Sequence, residues 1–309
     1  MADSAPPPAS SKARTFLRRT TSTVGLWALV GVAFASQKAW AYFGLVAVLA
    51  ILSSIEYFAM IRAAEVKCFP RLGLFLAAAY SLAMGWFFLG NGHVGSGKGL
   101  ELPDGLDALA IFVATAGAFT FQLRYSIKGI EALQAVALNV LGFVYITLLF
   151  HFSARLVFMV PGTPGNEVPG GFLLLWVIMV TKFTDMGAYL TGTMIGRHKM
   201  IPHVSPGKTW EGFGGALFFA QLAGCGLYAL FHRPDQLGAL GGWPHVIALG
   251  FILALLAVVG DLAESVLKRS LNAKDSGHML PGIGGALDLI DSLCFTAPAL
   301  YFYLKWVLH

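Results

Sequence analysis

The chain has 309 residues, of which 57% are hydrophobic and only 12% charged, and its mean hydropathy is +0.70. That balance excludes an ordinary soluble domain and points to an all-α, polytopic membrane protein. The formal net charge of +5 calls for no nucleic acid partner, because excess Lys and Arg in such a protein mark cytoplasmic loops and contacts with a lipid bilayer's anionic headgroups.

In chain order, residues 1–22 form an Ala/Pro/Ser-rich and then basic tail (Lys12, Arg14, Arg18, Arg19), read as a disordered cytoplasmic segment. An N-terminal transmembrane region is expected over 23–170 and a C-terminal catalytic one over 171–309. The run "VGLWALVGVAFAS" imitates a signal peptide, with an Ala-x-Ala site at Ala33 and Ala35. Strong hydrophobicity resumes at Ala39 and continues to Met60, which favours a hairpin of two spans over a cleaved leader. Later apolar segments fall at 72–90, 105–122, 132–152, 171–193, 212–232, 245–267 and 285–308. Each approaches the ~20 residues that a helix needs to cross hydrocarbon, so eight or nine spans are expected. With the N-terminus inside, fifteen Lys and Arg lie on inner segments and four (Lys38, Lys98, Arg155, Arg233) on outer loops. This positive-inside bias places the loops 194–211 and 268–284 on the cytoplasmic side, where nucleotides are available. Cys68, Cys225 and Cys294 are far apart in apolar surroundings, which suits neither a zinc site nor a disulfide framework.

One motif is a decoy. "GNGHVGSGKG" has the G-x4-G-K spacing of a phosphate loop at Gly92, Gly97 and Lys98, but Gly99 stands where a Ser or Thr would bind magnesium. No strand precedes it and the charge bias places it outside, so it reads as an ordinary loop.

The charges within spans carry more information, because an ionisable residue there is costly. Lys182 and Asp185 are three apart on one helical face, as fits either a mutually neutralising pair or a site. Asp261, Glu264, Ser265 and Lys268 fall at i, i+3, i+4 and i+7, one polar stripe on an apolar helix. Solvated charges at a helix end would explain Lys268 and Arg269 but not Asp261, which follows "FILALLAVVG". Asp288 and Asp291 are again three apart, and two carboxylates so close repel unless a cation sits between them. A hard divalent ion with oxygen ligands, magnesium, removes the conflict. Glycines in "PGIGG" let backbone N–H groups approach an anion, and Lys268, Arg269 and Lys274 supply cations for phosphate oxygens. In "HKMIPHVSPGKTWEGFGG", Ser205, Lys208 and Thr209 offer hydroxyls and a cation, or simply a connecting turn. His198, His203 and His278 are left unassigned. Carboxylates for a metal, cations for phosphates and glycines for close approach are parts of a nucleotidyl- or phosphoryl-transfer site. A transporter of a phosphorylated solute is the competing reading.

These residues resemble the phosphatidate cytidylyltransferases, also called CDP-diacylglycerol synthases. Ser265, Lys268, Arg269, Lys274 and Asp275 match the signature S-x-x-K-R-x4-K-D. Pro281, Gly282, Gly284 and Gly285 match P-G-H-G-G, and Asp288, Asp291 and Ser292 match D-R-x-D-S. Upstream, "TDMGAYLTG" with Asp185 and "SPGKTWEG" with Ser205, Lys208 and Thr209 are similar to the family's D-x-x-A-Y and S-P-K-K-T-x-E-G segments. The likeness covers about 180–292. Three departures stand out: Ile283 replaces a His, Leu289 an Arg and Gly207 a Lys.

The resemblance implies transfer of CMP from CTP to phosphatidate, giving CDP-diacylglycerol and pyrophosphate. It implies metal ligands at Asp261, Asp288 and Asp291 and phosphate contacts from Lys268, Arg269, Lys274 and Lys208. Asp185, Ser205, Thr209, Ser265, Asp275, Gly284 and Gly285 complete the expected substrate site. A CTP-dependent enzyme on an isoprenoid-glycerol phosphate or a polyprenol, and a catalytically dead paralogue, are the neighbouring alternatives. The sequence leaves open whether a monovalent cation such as potassium assists magnesium. Families of this kind form dimers, and no heptad or small-xxx-small stripe here decides for or against a homodimer. Multiple spans behind a basic N-terminus suit a bacterial inner membrane.

Overall fold

The computed structural model describes residues 24–25, 27–90, 103, 105–161, 167–277, 279 and 284–308. Among these, nine apolar helices follow in order: α1 (Trp27–Ser36), α2 (Ala39–Ala63), α3 (Pro70–Gly90), α4 (Leu106–Gln122), α5 (Glu131–Met159), α6 (Gly171–Ile195), α7 (Trp210–Leu230), α8 (Trp243–Ser270) and α9 (Leu287–Leu308). Seven are long and apolar enough to cross a membrane, while α1 and α4 are shorter. The protein is therefore an integral membrane helix bundle, as its composition requires: in hydrocarbon, backbone groups must be satisfied within each span. The N-terminal tail, the G-x4-G-K loop, His278, Pro281, Gly282 and Ile283 lie outside the described residues.

One expected loop residue is instead interior. Arg155 sits inside α5 and is only 7% exposed, where an outer loop position was expected. Its guanidinium donates to both carboxylate oxygens of Asp107 at the start of α4, and to the Tyr80 hydroxyl of α3 at 2.9 Å. This neutralised cation lets α5 continue to Met159 rather than end near 152. At the same end of the bundle, Lys38 Nζ donates to Glu167 Oε1 and holds that carboxyl below the usual range.

Helices α6 and α7 make the closest pairing. A Cβ on Gly215 would stand 2.7 Å from the Gly187 carbonyl oxygen and closer still to the Thr191 side chain. Small residues at such a crossing let helices approach within van der Waals contact, which is what holds helices together in lipid. Between α6 and α7 lies a hairpin that the loop reading did not anticipate. Strand β1 (Lys199–Ile201) pairs antiparallel with β2 (Ser205–Thr209), in the register Lys199 to Thr209 and Ile201 to Ser205. The C-termini of α2, α6 and α8, the N-termini of α7 and α9, and this hairpin all converge on one end of the bundle.

Candidate active site

The hairpin is locked to α7 by its own residues. Thr209 caps α7, its Oγ1 accepting from Gly212 N at 3.1 Å, which satisfies one of the helix's orphan N–H groups. Glu211 accepts from the backbone N–H groups of Arg197 and His198, and His198 Nδ1 lies 2.5 Å from its Oε1. His198 thus has a structural partner. The lock carries Lys208 to α8, where its Nζ contacts Asp261 Oδ2 at 2.5 Å and the Val258 carbonyl oxygen at 3.3 Å.

Asp261 is brought to α9 by the residue before it. A Cβ on Gly260 would lie 2.7 Å from Ser292 Cα and 3.1 Å from the Asp291 carbonyl oxygen, so only glycine admits the α9 backbone there. Helix α9 itself breaks after a first turn, Leu287–Ile290, and resumes at Leu293. Asp291 sits at this break, its Oδ1 accepting from Ser292 N at 2.6 Å.

As a result, one oxygen each from Asp261, Glu264 and Asp291 lies within 4.8 Å of the others. Glu264 and Asp291 are 2% and 5% exposed, and Glu264 Oε1 is buried without a hydrogen-bond partner. Lys268 Nζ donates to Glu264 Oε2 at 2.8 Å and to Asp288 Oδ1 at 3.0 Å. Asp288 Oδ2 accepts from Gly285 N at 2.9 Å. Of the three expected metal ligands, Asp261 and Asp291 therefore stand in the oxygen cluster, while both oxygens of Asp288 are engaged by Lys268 and Gly285. Glu264 takes the third place. Two ammonium groups, Lys208 and Lys268, face four carboxylates, and the deficit matches a divalent cation. An all-oxygen donor set, with Glu264 and Asp291 buried, Asp261 half-exposed and one oxygen unpartnered, fits a hard ion such as magnesium.

The remaining expected residues lie on α6, β2, α8 and the connection from α8 to α9. Lys182 Nζ is 3.8 Å from Asp185 Oδ2 on α6. Ser265 is half-buried on α8, and Ser205 opens β2. Arg269, Lys274 and Asp275 are exposed, with Arg269 Nη1 donating to the Ala273 carbonyl at 3.3 Å. Gly284 has φ +124°, a left-handed conformation that favours glycine.

Glu56 of α2 was absent from the expected set. Its Oε1 accepts from Met279 N at 3.3 Å and its Oε2 from Leu287 N at 3.0 Å, across more than 220 positions of sequence. A Cβ on Gly277 or Gly285 would stand 2.6 or 2.7 Å from its carboxylate, which is why glycines flank it. Glu56 ties the connection between α8 and α9 to the N-terminal half. The available signal was its position as the main intramembrane charge of that half.

A model of the cytidylyltransferase family matches residues 17–307. A phosphatidate cytidylyltransferase of Bacillus subtilis (strain 168) is 30% identical over 255 residues, covering 82% of this chain and 86% of its own. A protein of Escherichia coli (strain K12) described as uncharacterized protein YnbB is 36% identical over 163 residues, 52% of each chain. A phosphatidate cytidylyltransferase of Brucella suis biovar 1 (strain 1330) is 41% identical over 140 residues, 45% of this chain and 49% of its own. Apart from the Bacillus protein, the chain spans about half the length of these curated relatives.

Proposed function

The chain belongs to the cytidylyltransferase family, and from that premise we propose that it transfers CMP from CTP to phosphatidate, giving CDP-diacylglycerol and pyrophosphate. The observation that carries this reading is the oxygen cluster of Asp261, Glu264 and Asp291 with Lys208 and Lys268 against it. A phosphatidate oxygen bonds to the α-phosphorus of CTP as the bond from that phosphorus to the pyrophosphate oxygen breaks. A phosphate monoester has its second pKa near ~6 and is largely dianionic at neutral pH, so no general base is needed. The difficulty is juxtaposing two polyanions. Magnesium, held by Asp261, Glu264 and Asp291, would supply positive charge to the departing pyrophosphate. Lys208 and Lys268, each already against a carboxylate, would exchange part of that contact for phosphate oxygens and orient them for in-line attack. Asp288 would hold Lys268 in place from the opposite side, and the exposed Arg269 and Lys274 would meet the nucleotide as it arrives.

The positive-inside bias supports an inner-membrane protein with its N-terminus and this site facing the cytoplasm. The test is pyrophosphate release by the detergent-purified chain given CTP, phosphatidate and magnesium, each omitted in turn. Release that needs all three, with a CDP-lipid product, is expected. Release that proceeds without phosphatidate, or none while a family member is active in parallel, would refute the reading.

A further inference from the structure

The connections α2–α3 and α4–α5 meet on helices other than those that carry the carboxylate cluster. Phe69 of the first stacks on Tyr125 of the second, with ring centroids 5.7 Å apart, and packs on Phe121 at 6.0 Å. Five cations gather around this aromatic junction: Arg62, Lys67 and Arg71 on one side, Arg124 and Lys128 on the other. Glu65 and Glu131 are the acids of the same two stretches, which leaves an excess of three positive charges. Among the described residues, none of the five cations has a carboxylate oxygen within 4.0 Å, whereas Lys38, Arg155, Lys182, Lys208 and Lys268 each do. Two are held by ring faces instead: Lys67 Nζ lies 4.5 Å from the Tyr125 centroid, and the Arg124 guanidinium carbon 4.9 Å from that of Phe121. A ring face orients a cation without neutralising it. The second connection also exposes hydrocarbon: Leu123, Ile127 and Ile130 are 84%, 80% and 61% exposed, interleaved with Arg124 and Lys128.

We propose that this surface docks the anionic phospholipid headgroups of the surrounding leaflet, monoanionic phosphodiesters such as phosphatidylglycerol, and takes neither substrate of the reaction. The occupant follows from charge and position together. Cations without carboxylate partners call for an anion, and the helix ends that flank them set them at the depth where lipid phosphates lie. Three large aliphatic side chains exposed in one short connection have no place on a surface for a soluble anion. Beside headgroups they enter the acyl boundary, while the lysine and arginine stems run along it and hold their charges at phosphate level. A lipid held between Lys67 and Arg124 would also join α2 and α3 to α4 and α5 across the seam at Phe69 and Tyr125.

The experiment measures lipid preference without turnover, so its outcome is separate from that of the proposed reaction. Purified protein is equilibrated with neutral detergent micelles holding equimolar phosphatidylglycerol and phosphatidylcholine, and the lipids retained after gel filtration are counted by mass spectrometry. Wild type should retain phosphatidylglycerol preferentially and melt higher in it than in phosphatidylcholine, as a bound ligand requires. Lys67→Gln and Arg124→Gln should each cut the preference about 5-fold, the weight of one cation near an anionic surface. Tyr125→Leu removes the ring but no charge, and should lose part of the preference. Arg233→Gln, in the exposed connection between α7 and α8, removes the same charge elsewhere and should change nothing. All four variants should melt like wild type in phosphatidylcholine, which separates lost docking from lost folding. An undiminished preference in the double variant of Lys67→Gln and Arg124→Gln, or an equal loss in Arg233→Gln, would overturn the proposal. Displacement of phosphatidylglycerol by glycerol 3-phosphate would also overturn it, by marking a site for soluble anions. So would retention of phosphatidate far above phosphatidylglycerol through the same residues, by marking a store for the acceptor.

Discussion

Asp291 is buried where α9 breaks, close to two other carboxylates and bonded to Ser292 N. Three acids gathered there repel one another, so their retention costs folding energy unless a cation completes the group. Asp291→Asn should therefore lower kcat by about 100-fold or more, the scale of lost metal-assisted charge stabilisation. The same variant should melt no lower than wild type in magnesium-free buffer, because a like-charge contact has been relieved. A kcat near wild type would sink the magnesium assignment. Glu56 works differently: it is a tether. Glu56→Leu leaves the N–H groups of Met279 and Leu287 without their acceptor, at about 1–3 kcal/mol for the buried Leu287 group and less for the exposed Met279. It should lower the melting temperature and raise the KM for CTP together, whereas Glu56→Gln keeps an amide oxygen and should lose less of both. Separate movement of stability and KM would show that Glu56 does not act through the α8–α9 connection.

Gly260 shows how elements, rather than single side chains, make the cluster. In a helix interior alanine is preferred over glycine by about 1 kcal/mol, so Gly260→Ala ought to stabilise α8 by itself. The new methyl, however, would stand 2.7 Å from the Ser292 backbone. Helices α8 and α9 must then part at the level of Asp261 and Asp291. A fall in kcat of about 10-fold is expected, since displacements of an ångström at a reacting centre are costly. Gly226→Ala on α7 is the control: among the described residues a methyl there would meet no atom within 4 Å beyond its own stretch of helix, and activity and melting temperature should hold or rise. Equal activity in both variants would remove the steric argument. The hairpin shows the limit of pattern reading at this scale. Its strands of three and five residues are too short for alternation to register, and "VSPGKT" reads equally as a turn. Only the pairing itself explains how Lys208 reaches Asp261.

For the whole molecule, the spans and the stretch that carries the carboxylate cluster were legible because hydropathy and charge spacing are local properties of the chain. The stripe of Asp261, Glu264 and Lys268 and the pair Asp288 and Asp291 announced themselves by helical period. Which of them would share a cluster depended on the α9 break and on Gly260, neither of which has a periodic signal. The partner of Glu56 lay beyond any local pattern. Orientation belongs to this scale too. Moving Arg155 from an outer loop into α5, where Asp107 neutralises it, leaves Lys38, Lys98 and Arg233 outside and strengthens the positive-inside bias. The hairpin end, with Lys208, Lys268, Arg269 and Lys274, should then face the cytoplasm. In a background with Cys68, Cys225 and Cys294 replaced by Ser, Lys199→Cys in β1 should react with a membrane-impermeant maleimide only after cells are opened. Asp235→Cys, in the exposed connection between α7 and α8, should react in intact cells. The reverse pattern would turn the carboxylate cluster away from the compartment that holds CTP, and the proposed reaction would lose its nucleotide.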